Sequence, residues 1–218
     1  MPEGVQLRED RIILEDGSEL GFVPMDSDDQ FAGIFASSCR RPATRSELDV
    51  LRNYTVNIGL SGQGGSMESA RSMMKAAAII LRAGGAGVFI DNSGLAHGAS
   101  DWLELTADDS SDAVSFAYLS VIEGQQEVWT IGFHAMGRPD LSMRRADLDE
   151  DEESIMEIID DMLSGNAFIG DGHLFAGPDG PRFRAVAEHC DRFAPDNPMH
   201  NPLGRLKLIR MRDIRSGN

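Results

Sequence analysis

An α+β fold is predicted, with a mixed sheet and helices packed on it, and two patterns in the sequence predict it. Residues 55–91 pass from an apolar strand through a glycine-rich loop and a long amphipathic helix into a second apolar strand, the outline of a βαβ unit. The C-terminal half instead carries short strands in pairs around turn residues, which reads as antiparallel hairpins. The expected organisation is a single compact unit of two lobes. Residues 31–105 hold the βαβ unit, residues 113–212 are mainly antiparallel with one helix, and residues 1–30 form a peripheral hairpin arm.

Taken in order, Arg11–Leu14 and Glu19–Val23 flank Asp16-Gly17, a dipeptide suited to a tight turn, and Pro24 ends the second strand. Phe31–Ser37 reads as a short apolar strand. Thr44 followed by Glu47 is a capping box that starts a short helix through Leu48, Leu51 and Arg52. The strand Val56–Leu60 then enters the glycine loop. Ser66 caps the long helix, Met67, Ala70, Met73, Met74, Ala77, Ile80 and Leu81 share one face, and Gly84-Gly85 ends it. Gly87–Ile90 re-enters the sheet as a second strand, which the right-handed crossover rule makes parallel to the first. A short helix over Asp101–Leu105 follows. Val114–Ile122 and Glu127–His134 read as a hairpin around Gly124, and Leu141–Arg145 as a further strand. An acidic block, Asp149–Glu153, opens a helix whose stripe is Ile155, Ile158, Ile159, Met162 and Leu163, with Gly165 as its cap. Ala167–Phe175 and Arg182–His189 form the last hairpin, Leu206–Met211 the last strand, and Arg215–Asn218 a frayed tail.

The chain of 218 residues carries a net charge of −16, from 36 acidic against 20 basic residues. Such a surface repels phosphate backbones and anionic lipid, so neither nucleic acid nor a membrane is expected as a partner, whereas a basic protein is. Cys39 and Cys190 carry no metal or disulfide spacing and read as reduced thiols. The polar start MPEGVQLRED is not a signal peptide, and the longest apolar run, Ala76–Leu81, is too short for a bilayer. A cytoplasmic protein is expected.

Three segments carry a resemblance: VNIGLSGQGG with the helix and strand after it up to DWLEL, VWTIGFHAMGRPDLSM, and FIGDGHLFAG. In this order they resemble an uncharacterised bacterial family, a domain of unknown function, over roughly Pro42–Cys190. The resemblance implies an α+β bacterial cytosolic domain, with no established activity and no catalytic residues.

Candidate sites come from the loops. Gly62, Gly64, Gly65 and Ser66 have the outline of a phosphate-cradling loop at a helix N-terminus, but Gly65 stands where the lysine of that motif belongs. Asp91 and His97 follow the second strand, where parallel sheets place ligands. His134 ends a strand, and Asp171 and His173 project from one strand face; together they are candidate metal ligands. Ser61 and Ser93 lack a nucleophile elbow, and Cys39 beside Arg40-Arg41 is either a low-pKa thiol or a buried structural one. No cofactor signature is present. The acidic runs Asp26–Asp29, Asp108–Asp112 and Asp147–Glu153 favour a non-enzymatic binding or regulatory protein with an acidic partner surface. The alternative is a small-molecule enzyme or binder, anion- or metal-dependent, using the crevice at the ends of the βαβ strands.

Overall fold

The computed structural model describes residues 4–148, 153–164, 169–177 and 180–211. The chain divides into two units, Met1–Tyr118 and Leu119–Asn218. The α+β class and the mixed sheet hold, and among the described residues no helix is long and apolar enough to cross a membrane. Asp149–Asp151 and Glu152 of the acidic block, the Gly165 cap, the strand start at Ala167, the Pro178-Asp179 turn and the tail after Met211 lie outside the described residues.

In chain order the first unit holds β1 (Gln6–Leu7), β2 (Arg11–Ile13), β3 (Glu19–Asp26), α1 (Phe31–Ser38), α2 (Arg45–Arg52), β4 (Val56–Ser61), α3 (Met67–Arg82), β5 (Gly87–Ile90), β6 (Leu95–Gly98), α4 (Ala99–Asp108) and α5 (Ser111–Tyr118). Strands β1, β2, β3 and β4 pair antiparallel in that order. The N-terminal hairpin therefore builds most of the first sheet, and Ile12, Leu14 and Leu20 are buried with Ala76 of α3. β3 runs on through Pro24, where the sequence reading ended it. Phe22 N–H donates to Asp10 O on the β2 side. Pro24 faces that same side two residues later, where β2 has stopped, so its missing N–H leaves no ladder bond unmade.

α3 forms as its spacing predicts. Ser66 Oγ accepts from Ser69 N–H at 3.0 Å, and Ala70, Met74, Ala77 and Leu81 are buried. At the other end Gly84 takes φ +116°, with Gly84 N–H donating to Leu81 O and Gly85 N–H to Ile80 O.

The βαβ pairing is corrected. β5 pairs with β6, antiparallel, in a sheet of two strands, and β4 pairs with β3. Residues 55–91 are thus strand, helix and strand in succession, but the two strands are not parallel neighbours. Local closure prevails. Ser93 and Gly94 N–H both donate to Ile90 O, a tight turn that sends the chain straight back along β5.

Two further segments read as strands are helices. Phe31–Ser38 is α1, with Phe35 fully buried and Ile34 45% exposed, a helical burial pattern that small residues at Ala32, Gly33 and Ala36 left ambiguous. The strand expected over Val114–Ile122 begins only at Ser120, where it forms the expected hairpin; Ser111–Tyr118 is α5, begun where Ser110 Oγ accepts from Ala113 N–H and pinned by Tyr118 Oη donating to Ala70 O. Tertiary anchoring outweighs the strand preference of Val114, Phe116 and Tyr118.

Helix α2 carries the predicted capping box, and its Glu47 does more than cap α2. Oε2 accepts from Thr44 N–H at 2.7 Å, while Oε1 accepts from Ser100 N–H and Ser100 Oγ at 3.0 Å each. Position 98, the N-cap of α4, is glycine and offers no capping side chain, so Glu47 serves both helix starts. A Cβ at Gly98 would lie 2.6 Å from Glu47 Oε2, so a side chain there would push the carboxylate out of this position.

The second unit holds β7 (Ser120–Glu123), β8 (Glu127–Ile131), a 3-10 turn Phe133–Met136, β9 (Asp140–Arg144), a 3-10 turn Arg145–Asp147, α6 (Glu153–Ser164), β10 (Leu174–Gly177), β11 (Gly180–Glu188) and β12 (Arg205–Arg210). Its sheet has the order β10-β11-β12-β9-β8-β7, antiparallel except for the parallel β12–β9 pair. Val128, Leu141, Met143, Leu206, Leu208, Ala185 and Phe183 alternate into the core. Ile155, Ile158, Ile159 and Met162 of α6 are buried as the stripe predicts.

Glu47→Ala is expected to destabilise the first unit by about 2 kcal/mol, since it strips caps from two helices. Gly98→Ala should act through the same contact, so a chemical-denaturation cycle should find the double variant little worse than either single one. The backbone and side-chain bonds from Ser100 and Thr44 outweigh the upward push of burial and hold the Glu47 carboxyl below its usual 4.5. Its contribution is therefore present above pH 4.5 and lost as pH falls through the lowered value, and Glu47→Ala should flatten that acid limb.

Candidate functional site

The structure disperses the residues singled out in the sequence. Gly62, Gly64 and Gly65 lie in the exposed loop after β4, and Ser66 spends its oxygen on the α3 cap. A Cβ at Gly62 would meet Met73 and Leu20 at 3.2 and 3.3 Å, so packing on the core accounts for that glycine. Asp91 is exposed in the β5–β6 turn, and the crevice of a parallel sheet does not exist beside it because β4 and β5 do not pair.

His97 does not lie in the loop beyond a strand but inside β6, with no exposed surface. Nε2–H donates to the Ala117 carbonyl oxygen at 3.0 Å, since a carbonyl only accepts, and Nδ1 lies 2.8 Å from Asp101 Oδ2. Asp101 Oδ1 accepts from Arg41 at 2.8 Å, and the Arg40 and Arg41 guanidinium groups lie 4.6 and 4.8 Å from the Phe116 ring centre. This chain of contacts ties β6 to α4, α5 and the segment before α2. It is a structural brace, closed to substrate. Cys39 belongs with it: burial raises its thiol pKa, which removes the low-pKa reading that its arginine neighbours suggested.

In the second unit His134 sits in the 3-10 turn after β8 rather than at a strand end, and burial lowers its imidazole pKa. Asp171 and His173 precede β10 in a turn instead of sharing a strand face. Asp171 Oδ1 accepts from Ala187 N–H at 3.0 Å, and the His173 ring meets Phe175 edge-on at 4.9 Å. Among the described residues no three His, Cys, Asp or Glu side chains gather as metal ligands.

One group outside the candidates singled out in the sequence is Asp140. It is 8% exposed at the start of β9, beneath the 189–204 connection that crosses from β11 to β12. Oδ1 accepts from Phe133 N–H at 3.2 Å, and Oδ2 accepts from Asn201 Nδ2 at 3.0 Å. Asn201 is 1% exposed, donates also to Arg138 O, and accepts from Leu203 N–H. Burial raises the Asp140 pKa to about 6, against the lowering effect of these bonds. Trp129, Cys190, Arg192, Phe193 and Arg205 line a small cleft here, whose cavity of about 20 Å³ has room for a water and is far below the size of a ligand pocket. Arg192 lies 3.9 Å above the Trp129 ring and pairs with Glu127, while Arg205 pairs with Glu188 and Asp191. Every charged group facing the cleft is thus engaged within the protein, and Asp140 acts as the anchor that holds the connection to the sheet. The signal for it was the 189–204 connection, far longer than two neighbouring antiparallel strands need.

The surface that remains open is the free end of the β3–β4 ribbon. Val23, Met25, Val56 and Ile58 are exposed by 59, 44, 51 and 37%, Val23 and Met25 on one face of the ribbon and Val56 and Ile58, beside Pro24 and Asp26, on the other. The exposed acidic run Asp26, Asp28 and Asp29 continues from β3, with Asp28 Oδ1 accepting from Gln30 N–H. Elsewhere in this unit Asp10 and Glu19 pair with Arg11, Asp49 with Arg52, Asp101 with Arg41 and Asp109 with Arg71. Among the described residues none of Asp26, Asp28 and Asp29 has a cationic partner within 4.0 Å.

No family model, curated protein or solved structure matches the chain. The functional reading therefore rests on geometry and charge.

Because the raised Asp140 carboxyl favours the folded state only when neutral, its contribution is full below pH 3.8 and is lost as pH rises through about 6. Urea titrations followed by Trp129 fluorescence should show the second unit gaining stability, on the order of 2 kcal/mol from this group, between pH 7 and pH 4. Asp140→Asn should remove that gain, and an unchanged pH slope in the variant would count against the assignment.

Proposed function

We propose that this is a non-enzymatic binding protein whose acidic surface engages a basic protein partner, and that the partner docks at the free end of the β3–β4 ribbon. One observation carries the reading: exposed Val56 and Ile58 share a ribbon face with Asp26, and Asp28 and Asp29 continue beyond it, none of the three carboxylates having an ion-pair partner among the described residues. Apolar area supplies affinity on burial, and unneutralised charge supplies steering and selects the sign of the partner. The net charge of −16 extends the same preference over the whole surface. The catalytic alternative has less behind it, since the crevice it needs is not formed and the buried carboxyl Asp140 is held by Asn201 and the Phe133 amide.

A lysine-rich amphipathic peptide serves as the probe. The variant Asp26→Asn/Asp28→Asn/Asp29→Asn should weaken its binding about tenfold at low salt, at about half a kilocalorie per exposed pair. A control with the same net charge, Glu104→Gln/Asp108→Asn/Asp112→Asn, should bind like the unmodified protein. Equal losses in both would show that overall charge, and not this surface, governs binding.

A further inference from the structure

The backbone of β4 adds a second feature to the ribbon. Phe22 points its N–H to the β2 side, so in alternation Gly21, Val23 and Met25 turn towards β4, and their partners Ser61, Gly59 and Asn57 turn towards β3. Val56, Ile58 and Leu60 therefore direct their N–H and C=O groups away from the sheet, along an edge where β4 has no neighbour. Among the described residues no hydrogen bond to these outward groups is formed.

Protein sheets commonly defend such edges with proline, charge or a bulge. The ribbon does so on one side only. Where β3 extends past β2, it carries Pro24 and Asp26. β4 reads Val-Asn-Ile-Gly-Leu-Ser over Val56–Ser61, with no charge, no proline and an unbroken register. The outer edge of β4 is therefore open to a further strand.

Resting on the acidic-surface reading above, we infer that the partner segment is an extended, basic peptide strand that adds to the free edge of β4. Side chains at every second position of that strand lie beside Val56 and Ile58, so they are apolar. The residues reaching past the Val56 end meet Asp26, Asp28 and Asp29, so they are lysine or arginine. Charge also argues against a second copy of this chain as the occupant, because two surfaces of net charge −16 repel.

The test uses the whole protein and a synthetic peptide that alternates valine and threonine and ends in three lysines. A scrambled peptide of the same composition is the control. The alternating peptide should bind, and amide hydrogen exchange at Val56, Ile58 and Leu60 should slow at least tenfold in the complex. Ile58→Pro removes one outward N–H that has no partner inside the protein, so the fold should keep its melting temperature while binding falls about tenfold. Rising salt should weaken the complex. If Ile58→Pro binds as the unmodified protein does, and the three amides exchange unchanged, strand addition is wrong, although the acidic surface stands as long as the Asp26/Asp28/Asp29 variant loses binding. Equal binding of the scrambled peptide overturns the inference in the same way. A free protein that dimerises with concentration, with these amides already protected, assigns the edge to a second copy and overturns it too.

Discussion

A single carboxylate sets the arrangement of the first unit. Glu47 closes the capping box of α2 and, across the gap left by Gly98, caps α4 as well. Two helices far apart in sequence thereby share one counter-charge, and β6, which ends at Gly98, is placed by the same contact. The His97–Asp101–Arg41 chain begins one residue before that glycine and extends the bracing into α5. In a chain with so many acids, the informative ones are those turned inward. Asp140 in the second unit plays a comparable part, fastening an irregular connection that has little secondary structure of its own. Asp147, 1% exposed, is gripped by Arg144 in the same way.

Local chemistry was legible in the sequence wherever one short segment decides the outcome. The Thr44–Glu47 box, the Ser66 cap, the Gly84-Gly85 terminus and the stripe of α6 depend on contacts within a few residues, and each is present. What escaped was pairing. Whether β5 returns to β4 or turns back on itself depends on the competition between a long crossover and a four-residue turn, and both patterns contain the same apolar strand. The helices α1 and α5 escaped for a related reason: in Phe31–Ser38 and Ser111–Tyr118 aromatic and β-branched residues fit either period until a buried neighbour chooses. The candidate site was obscured by the same error. Asp91, His97 and the glycine loop were grouped because a parallel sheet would have grouped them, whereas the exposed acids next to an undefended strand needed the β3–β4 register to be seen.

Pro24 and Gly98 illustrate two ways in which a residue that lacks something shapes a fold. Pro24 lacks a donor and stands where no acceptor waits, so the strand continues at no cost and its outer side is closed to further pairing. Gly98 lacks a side chain and stands where another residue supplies one. Neither position can be understood from its own propensity, only from what has been brought up to it.

The two tryptophans divide between the two units. Trp102 is buried against the rings of His97 and Tyr118 with its indole N–H donated to Met74 O, and Trp129 lies under the guanidinium of Arg192. Their surroundings differ in polarity and charge, so their emission differs as well. Replacing either with phenylalanine leaves a chain with one intrinsic reporter, and the two halves of the molecule can then be watched separately as they come apart.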